Sequence, residues 1–232
     1  MAVRHARGSR LTSSAARVVD VLGGRYSTEL GIDVDHDEEE IERWALAATL
    51  FGARISATIA QRTFPVLHAA GIHTIPQAGG CDLARLIELL DEGGYARYDL
   101  RTAERLHAIA HALEAHDGRV SSLLDRPPQE LASALRALPG WGPVTVGLFL
   151  RELRGVRPGI EPPIDPRALG SAEHLGLLGC NGAEALSGLR LVAHDAHLDL
   201  RDLETALVRL SLAHRRDVTR CPGGERCARL AP

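Results

Sequence analysis

Apolar residues recur at three- and four-residue intervals along most of this chain, and this spacing limits the fold more than any other feature. Leu106, Ile109 and Leu113 follow it in the middle of the chain, and the apolar residues of 203–210 follow it near the end. In an α-helix such residues share one face, which can be buried against a neighbouring helix. Runs of alternating β-branched residues, which would favour strands, are missing from the sequence. The sequence therefore predicts an all-α fold.

Local signals predict where several helices begin and end. Asp37, followed three positions later by Glu40, is typical of a capping box and predicts a helix start. A second helix is expected to begin near Arg54 and to end near Pro65, because a proline disturbs helical hydrogen bonding. A further helix is expected from about Tyr98.

Charge is spread unevenly along the chain. The 232 residues carry a net charge of −3, so the chain as a whole is not a polycation that seeks nucleic acid. Positions 4–17 contain four arginines and no acidic residue, whereas 33–42 contain seven acidic residues and no lysine or arginine. The first segment predicts a disordered basic arm, and the second predicts an acidic loop that leads into a helix.

The sequence shows no sign of membrane insertion or export. It contains no apolar run long enough to span a membrane and no signal-peptide pattern. Its four cysteines are scattered, which favours the reduced environment of the cytoplasm.

The stretch LPGWGPVTV, residues 138–146, places two glycines around a tryptophan between two helix-compatible segments. Glycine reaches backbone conformations that are closed to other residues, so the stretch predicts a tight turn. A turn this bare would expose backbone N–H groups at the start of the second helix, where the helix dipole also favours an anion such as phosphate. A turn whose glycines serve only packing is an equally good interpretation of this stretch by itself.

The segment ALPGWGPVTVGLFL contains this turn, and PPIDPRALGSAEHLGL follows it after a spacer. Together the two segments resemble the helix-hairpin-helix/Gly-Pro-Asp superfamily of base-excision DNA glycosylases, and the endonuclease III branch is the nearest. The resemblance extends over about 38–177 and implies a helix-hairpin-helix motif at about 128–153. It also implies two helical lobes with double-stranded DNA in the cleft between them and a base flipped out of the stack.

The segment RGVRPGIEPPIDP, 154–166, is the only strongly Pro/Gly-rich linker in the interior of the chain. It predicts a crossover between the two lobes. We therefore expect one helical lobe over 36–155, ending in the helix-hairpin-helix motif. The second lobe would be built from both termini, 1–35 and 156–232.

Residue by residue, Gly140 and Gly142 match the hairpin glycines of this family, and Asp165 matches its catalytic aspartate. Val144 falls where the bifunctional members carry a lysine nucleophile. Valine cannot form an imine, and the sequence contains no lysine at any position. The resemblance therefore implies a monofunctional enzyme in which water replaces lysine as the attacking group.

The leading hypothesis is a monofunctional DNA glycosylase that hydrolyses the N-glycosidic bond of a damaged or mismatched base, without Schiff-base lyase activity. Asp165 would stabilise the oxocarbenium-like sugar and orient water. The alternative is a non-catalytic helix-hairpin-helix DNA-binding protein that has lost this chemistry. Asp165, which precedes Pro166, would then be only a helix N-cap. In both cases we expect a cytoplasmic, nucleoid-associated monomer whose partner is lesion-containing double-stranded DNA.

Side chains near the expected cleft are further candidates for contact with DNA. Arg54 falls in the region of the family's minor-groove wedge. Tyr98 and Arg101 open a helix that would face the same cleft, where Tyr98 could stack near the flipped base and Arg101 could hold a phosphate. Trp141 is either a half-buried plug or a DNA-facing plane. The predicted DNA-binding residues are Gly140, Trp141, Gly142, Val144, Thr145, Arg54, Tyr98 and Arg101.

Members of the nearest branch often end in four cysteines, spaced C-x6-C-x2-C-x5-C, that hold a four-iron cluster. Cys221 and Cys227 reproduce the last interval, but Ser211 and Val218 stand at the first two ligand positions. Two thiolates cannot hold such a cluster, so we expect an iron-free protein without a cofactor. A zinc site at Cys221 and Cys227, joined by His214, is the less favoured alternative because the sequence reveals no fourth ligand.

Overall fold

The computed structural model describes residues 2–53, 55–178, 184–215 and 220–230, with 2–10 described by their backbone alone. Every regular element among these residues is helical, which confirms the all-α prediction. None of the described helices combines the length and the apolar character needed to cross a membrane. In chain order the α-helices are α1 (Ala2–Leu22), α2 (Tyr26–Glu29), α3 (Glu38–Phe51), α4 (Ala57–Ala69), α5 (Ile75–Gly80), α6 (Leu83–Gly93), α7 (Asp99–Leu113), α8 (Pro128–Arg136), α9 (Pro143–Glu152), α10 (Pro166–His174), α11 (Ala185–Asp195) and α12 (Leu200–His214).

The chain divides into two compact units. One unit consists of 27–162, and the other consists of 1–26 together with 163–232. The lobe boundaries expected from the sequence were 36–155 for the first lobe and the two termini for the second. The Pro/Gly-rich segment 154–166 contains the point at which the chain passes from one unit to the other.

Helix α3 is the central helix of the unit 27–162. It is buried on almost every side, and its Trp44 ring nitrogen donates a hydrogen bond of 3.2 Å to the carbonyl of Phe149 in α9. The hydroxyl of Tyr95 donates to the carbonyl of Leu50 at the end of α3, at 2.6 Å. Because both polar tips are satisfied, the two large rings are buried without the cost of an unpaired donor.

The predicted start of α3 is confirmed, whereas the predicted end of α4 is wrong. Asp37 is the N-cap of α3, and its carboxylate accepts a hydrogen bond of 3.0 Å from the amide of Glu40.

Helix α4 passes through Pro65 and ends at Ala69. Phe64 and Leu67, on either side of the proline, are buried and hold this last turn in place. Tertiary packing therefore outweighs the helix-breaking tendency of proline here.

The second unit packs α1, α10, α11 and α12 around its own apolar core. Ala15 and Val18 of α1 are fully buried against residues of α12 such as Leu203 and Leu207. The prediction of a disordered basic arm at 4–17 is therefore wrong, since this segment lies within a helix. The segment carries Leu11 and Ala15 as well as its four arginines, and these apolar residues pack into the core of the unit.

Candidate functional site

The turn between α8 and α9 is tight, and its two glycines serve different purposes. Gly140 has a φ of +77°, a conformation that favours glycine. Gly142 has a φ of −80° and a ψ of −179°, which any residue can adopt. The prediction that a special backbone conformation requires glycine is thus confirmed at Gly140 and wrong at Gly142. A Cβ atom at position 142 would have no heavy atom within 4 Å among its neighbours outside the adjacent residues. The surface at Gly142 is therefore open to a close approach from outside.

The start of α9 carries no side-chain cap. Gly142 occupies the N-cap position without a side chain that could accept from the first turn, and Pro143 follows at the first helical position. The first amides of an α-helix have no partner within the helix itself. Val144 comes next, and this residue is 57% exposed. The helix start thus presents backbone donors beside an uncharged, accessible side chain.

Two predicted DNA contacts in this turn point into the protein. Trp141 is only 2% exposed, and its ring nitrogen donates a hydrogen bond of 3.0 Å to the Thr49 hydroxyl. Its ring also meets that of Phe149 at a centroid distance of 5.1 Å. Thr145 is only 3% exposed and packs where Gly52 leaves room. Both side chains therefore belong to the core, and Trp141 is a buried plug. The DNA-binding role predicted for these two residues is not tested by the structure and stays a prediction.

One arginine of α7 lies against this turn, and a second arginine lies one helical turn before it on the same helix. Arg101 is exposed in the first turn of α7, and Arg105 follows four positions later on the same helix face. Cδ and Nε of Arg105 lie 2.6 Å from the place where a Cβ of Gly140 would stand. Arg105 was missed in the sequence, although its spacing from Arg101 pointed to it.

Tyr98 and Arg54 are the two remaining side chains that were predicted to contact DNA. Tyr98 is the N-cap residue of α7 without a side-chain capping bond, and its side chain is half-buried. Arg54 lies outside the described residues. Neither role is tested by the structure, so both stay predictions.

Asp165 is the N-cap of α10, and its carboxylate is strongly bound. One carboxylate oxygen accepts from the backbone amide of Arg167 at 2.8 Å and from its Nε at 3.1 Å, and the other accepts from Nη2 of the same residue at 3.0 Å. The amide of Asp165 itself donates to the buried carboxylate of Glu204 at 2.9 Å. The Asp165 side chain is 17% exposed. Hydrogen bonding to Asp165 raises the pKa of the Arg167 guanidinium, so the pair is ionic.

The same arrangement occurs a second time in this unit. Asp199 is the N-cap of α12, and its carboxylate accepts a hydrogen bond of 2.7 Å from the backbone amide of Arg201. It also accepts from Nε and Nη2 of the Arg201 side chain. Arg25 lies near it as well, with a guanidinium nitrogen at 3.8 Å. Although burial opposes its ionisation, hydrogen bonds from Arg201 lower the pKa of Asp199. An aspartate N-cap paired with an arginine two residues later thus occurs at the start of both α10 and α12, where it stabilises the helix start.

A cluster of four possible metal ligands lies at the ends of α10 and α12. It contains the two expected cysteines, Cys221 and Cys227, together with His214 and His174. Although partial burial of Cys221 opposes ionisation, the backbone amide of Gly223 and the ring of His214 stabilise the thiolate and lower the pKa of Cys221 to about 6. Burial raises the pKa of Cys227. The structure therefore supplies the fourth ligand that the sequence did not reveal.

Comparison with known proteins does not assign this chain to a family. No protein-family model matches the sequence, and no curated protein is significantly similar to it.

Proposed function

We propose that this protein is a monofunctional DNA glycosylase that hydrolyses the bond between a damaged or mismatched base and its sugar in double-stranded DNA. The observation that carries the proposal is the open, uncapped start of α9 at Gly142, next to the exposed Val144. The resemblance of this turn and of the segment around Asp165 to base-excision glycosylases supplies the chemistry. The helix-hairpin-helix motif and the DNA cleft between two lobes are carried over from that resemblance as parts of the proposal.

The turn between α8 and α9 is the proposed anchor for a DNA phosphate. Backbone amides at a helix start, together with the positive end of the helix dipole, favour an anion. Gly142 leaves the approach open, and Arg105 and Arg101 add positive charge on the neighbouring α7. Such contacts bind DNA largely regardless of its sequence and weaken as salt rises. They explain how a chain with a net charge of −3 could bind DNA.

The residue at position 144 determines the proposed mechanism. Val144 is accessible, so it occupies a place from which a longer side chain could reach a substrate. It carries no nucleophile, and the chain has no lysine that could form a Schiff base with the sugar. Water is therefore the proposed attacking group, and the product is an intact abasic site.

Asp165 is the proposed catalytic residue. An ionised carboxylate stabilises the positive charge that develops on the sugar as the bond to the base breaks. The contacts with Arg167 fix the orientation of the carboxylate.

A non-catalytic DNA-binding protein is the second candidate, and one observation favours it. Asp199 and Arg201 repeat the arrangement of Asp165 and Arg167 at the start of α12, where no catalytic role is proposed. The geometry of Asp165 is therefore explained by helix capping alone. The two candidates make the same prediction for DNA binding and opposite predictions for base release.

Replacing Gly142 by Asp is expected to weaken binding to duplex DNA at least about tenfold, equivalent to about 1.4 kcal/mol. The new carboxylate would occupy the amides that a phosphate requires and would repel that phosphate. Asp is a good N-cap residue, so the variant should be as stable as the wild type or a few tenths of a kcal/mol more stable. Fluorescence anisotropy of a labelled duplex, measured over a range of salt concentrations, gives the affinity, and thermal unfolding gives the stability.

Gly80→Asp is the matched control for this experiment. It adds the same charge to the same unit at an exposed glycine where a Cβ would also meet nothing within 4 Å. DNA affinity should change little in this variant. Undiminished binding by a folded Gly142→Asp variant, or an equal loss in both variants, would show that the start of α9 does not hold DNA.

A further inference from the structure

We propose that His174, His214, Cys221 and Cys227 form a structural zinc site in the unit that contains both chain termini. The possible ligand atoms of these four side chains all lie within 4.8 Å of one another. His214 and Cys227 are buried, and His174 and Cys221 are partly buried. Two thiolates and two imidazoles form one of the common ligand sets of structural zinc.

Two of the six distances between ligand atoms of the cluster match a tetrahedron around one zinc ion, and all six lie within 4.8 Å. With Zn–S bonds of about 2.3 Å and Zn–N bonds of about 2.0–2.1 Å, a tetrahedron places two sulfur atoms about 3.8 Å apart and a sulfur and a nitrogen about 3.5 Å apart. The Sγ atoms of Cys221 and Cys227 are 3.8 Å apart. Sγ of Cys227 and Nε2 of His214 are 3.5 Å apart. Both measured edges therefore have the length that zinc requires.

His214 and His174 each leave Nε2 available as a zinc ligand, for different structural reasons. Nδ1 of His214 lies 3.0 Å from the carbonyl oxygen of Leu210, to which it can donate only if it carries the proton. This bond leaves the lone pair of Nε2 directed at the sulfur of Cys227, as is usual for histidines that bind metals. Nε2 of His174 is buried and has no hydrogen-bond partner among the described residues. The ring of His174 stands edge-on to that of His214, with the ring centroids 4.8 Å apart.

The loop that carries the cysteines is shaped around the cluster. Gly223 and Gly224 have φ values of +70° and +53°, which turn the chain sharply between Cys221 and Cys227. A Cβ at Gly223 would lie 2.4 Å from the carbonyl oxygen of His174, so glycine is needed for this close approach. The backbone amide of Ala228 donates to Sγ of Cys221 at 3.3 Å, a bond that stabilises a thiolate ligand.

Other occupants fit the cluster less well than zinc. A two-iron cluster with two cysteines and two histidines holds the two pairs on separate iron atoms, whereas here a cysteine sulfur and a histidine nitrogen are 3.5 Å apart. A disulfide requires sulfur atoms about 2.05 Å apart and leaves both histidines without a role. A single tetrahedral ion uses all four side chains.

The site would attach the end of the chain to the helical core. His174 and His214 are the last residues of α10 and α12, which pack against each other. The segment 220–230 contains one short 3-10 helix, Gly224–Arg226, and has little regular structure to hold it. A closed set of four protein ligands leaves no position for substrate, so the proposed zinc is structural.

The test measures zinc in the full-length protein, purified under reducing conditions and dialysed against a weak chelator. We expect one zinc and no iron per chain by elemental analysis, with release of the zinc by a thiol-reactive mercurial. Cys221→Ser and His174→Asn should each lose most of this zinc. Cobalt bound in its place should give the visible absorption of a tetrahedral ion, with the charge-transfer band of thiolate ligands.

Cys81→Ser and His194→Asn are the matched controls and should each keep a full zinc equivalent. Cys81 lies in the other unit, and His194, like the two proposed histidine ligands, lies in the last turn of a helix but is exposed. If a ligand variant does not fold, the cobalt spectrum of the wild type still decides between the outcomes. A wild type without zinc that also fails to bind added zinc or cobalt would overturn the proposal. Iron with sulfide, a Cys221–Cys227 disulfide, or full zinc retention by His174→Asn would also overturn it.

Discussion

The Asp165→Asn variant is expected to release base about a hundredfold more slowly than the wild type, because it lacks the charge that stabilises the sugar cation. Loss of such stabilisation typically raises a barrier by about 3 kcal/mol or more. The asparagine oxygen can still cap α10, so the helix start is retained. The lost ion pair with Arg167 is partly exposed and should cost only about 1 kcal/mol of stability. Single-turnover base release and thermal unfolding measure the two effects separately.

Asp199→Asn provides the matched control, since Asp199 has the same capping role and the same arginine pairing in the same unit. Its stability should fall by a similar amount, whereas its rate of base release should stay close to that of the wild type. Equal loss of activity in both variants would mean that Asp165 matters only for the fold. Full activity of Asp165→Asn would show that the catalytic assignment is wrong.

The Trp141→Ala variant is expected to be destabilised by about 3–5 kcal/mol, the usual cost of truncating a buried aromatic ring. The ring is 2% exposed and packs against Phe149, and its nitrogen is hydrogen-bonded to Thr49. The only other tryptophan, Trp44, reports unfolding by fluorescence in a denaturant titration.

Trp141→Phe separates the packing of the ring from its hydrogen bond. It keeps most of the contact with Phe149 and loses the bond to Thr49, so the loss should be only about 1 kcal/mol. A Trp141→Ala variant as stable as the wild type, but weaker in DNA binding, would restore the interpretation of Trp141 as a DNA-facing ring.

Periodicity and local capping signals were sufficient for much of the fold. The helical spacing predicted the all-α class, and the Asp37 cap of α3 was found because its partner Glu40 is only three residues away. Such signals act over one or two helical turns, which a sequence displays directly. Predictions failed where contacts between distant parts of the chain determine the local structure. The packing of Phe64 and Leu67 carries α4 through Pro65.

In the candidate site, too, local features could be predicted from the sequence, whereas features that depend on long-range packing could not. The turn at Gly140 could be predicted because glycine marks a positive φ. The inward direction of Trp141 could not, since it depends on Thr49 and Phe149 from other helices. His174 lies far from His214 in the sequence, and the packing of α10 against α12 brings them together.

The most direct test of the proposed glycosylase is to incubate the wild-type protein with duplexes that each contain one damaged or mismatched base. Free base should be detected by mass spectrometry from at least one duplex of a broad panel. The strand should break only after hot alkali, and borohydride should trap no protein–DNA adduct, because Val144 cannot form an imine. A trapped adduct would contradict the monofunctional mechanism and would point first to the N-terminal amine. Binding to the duplexes without release of base from any of them would contradict the enzyme itself and leave a DNA-binding protein.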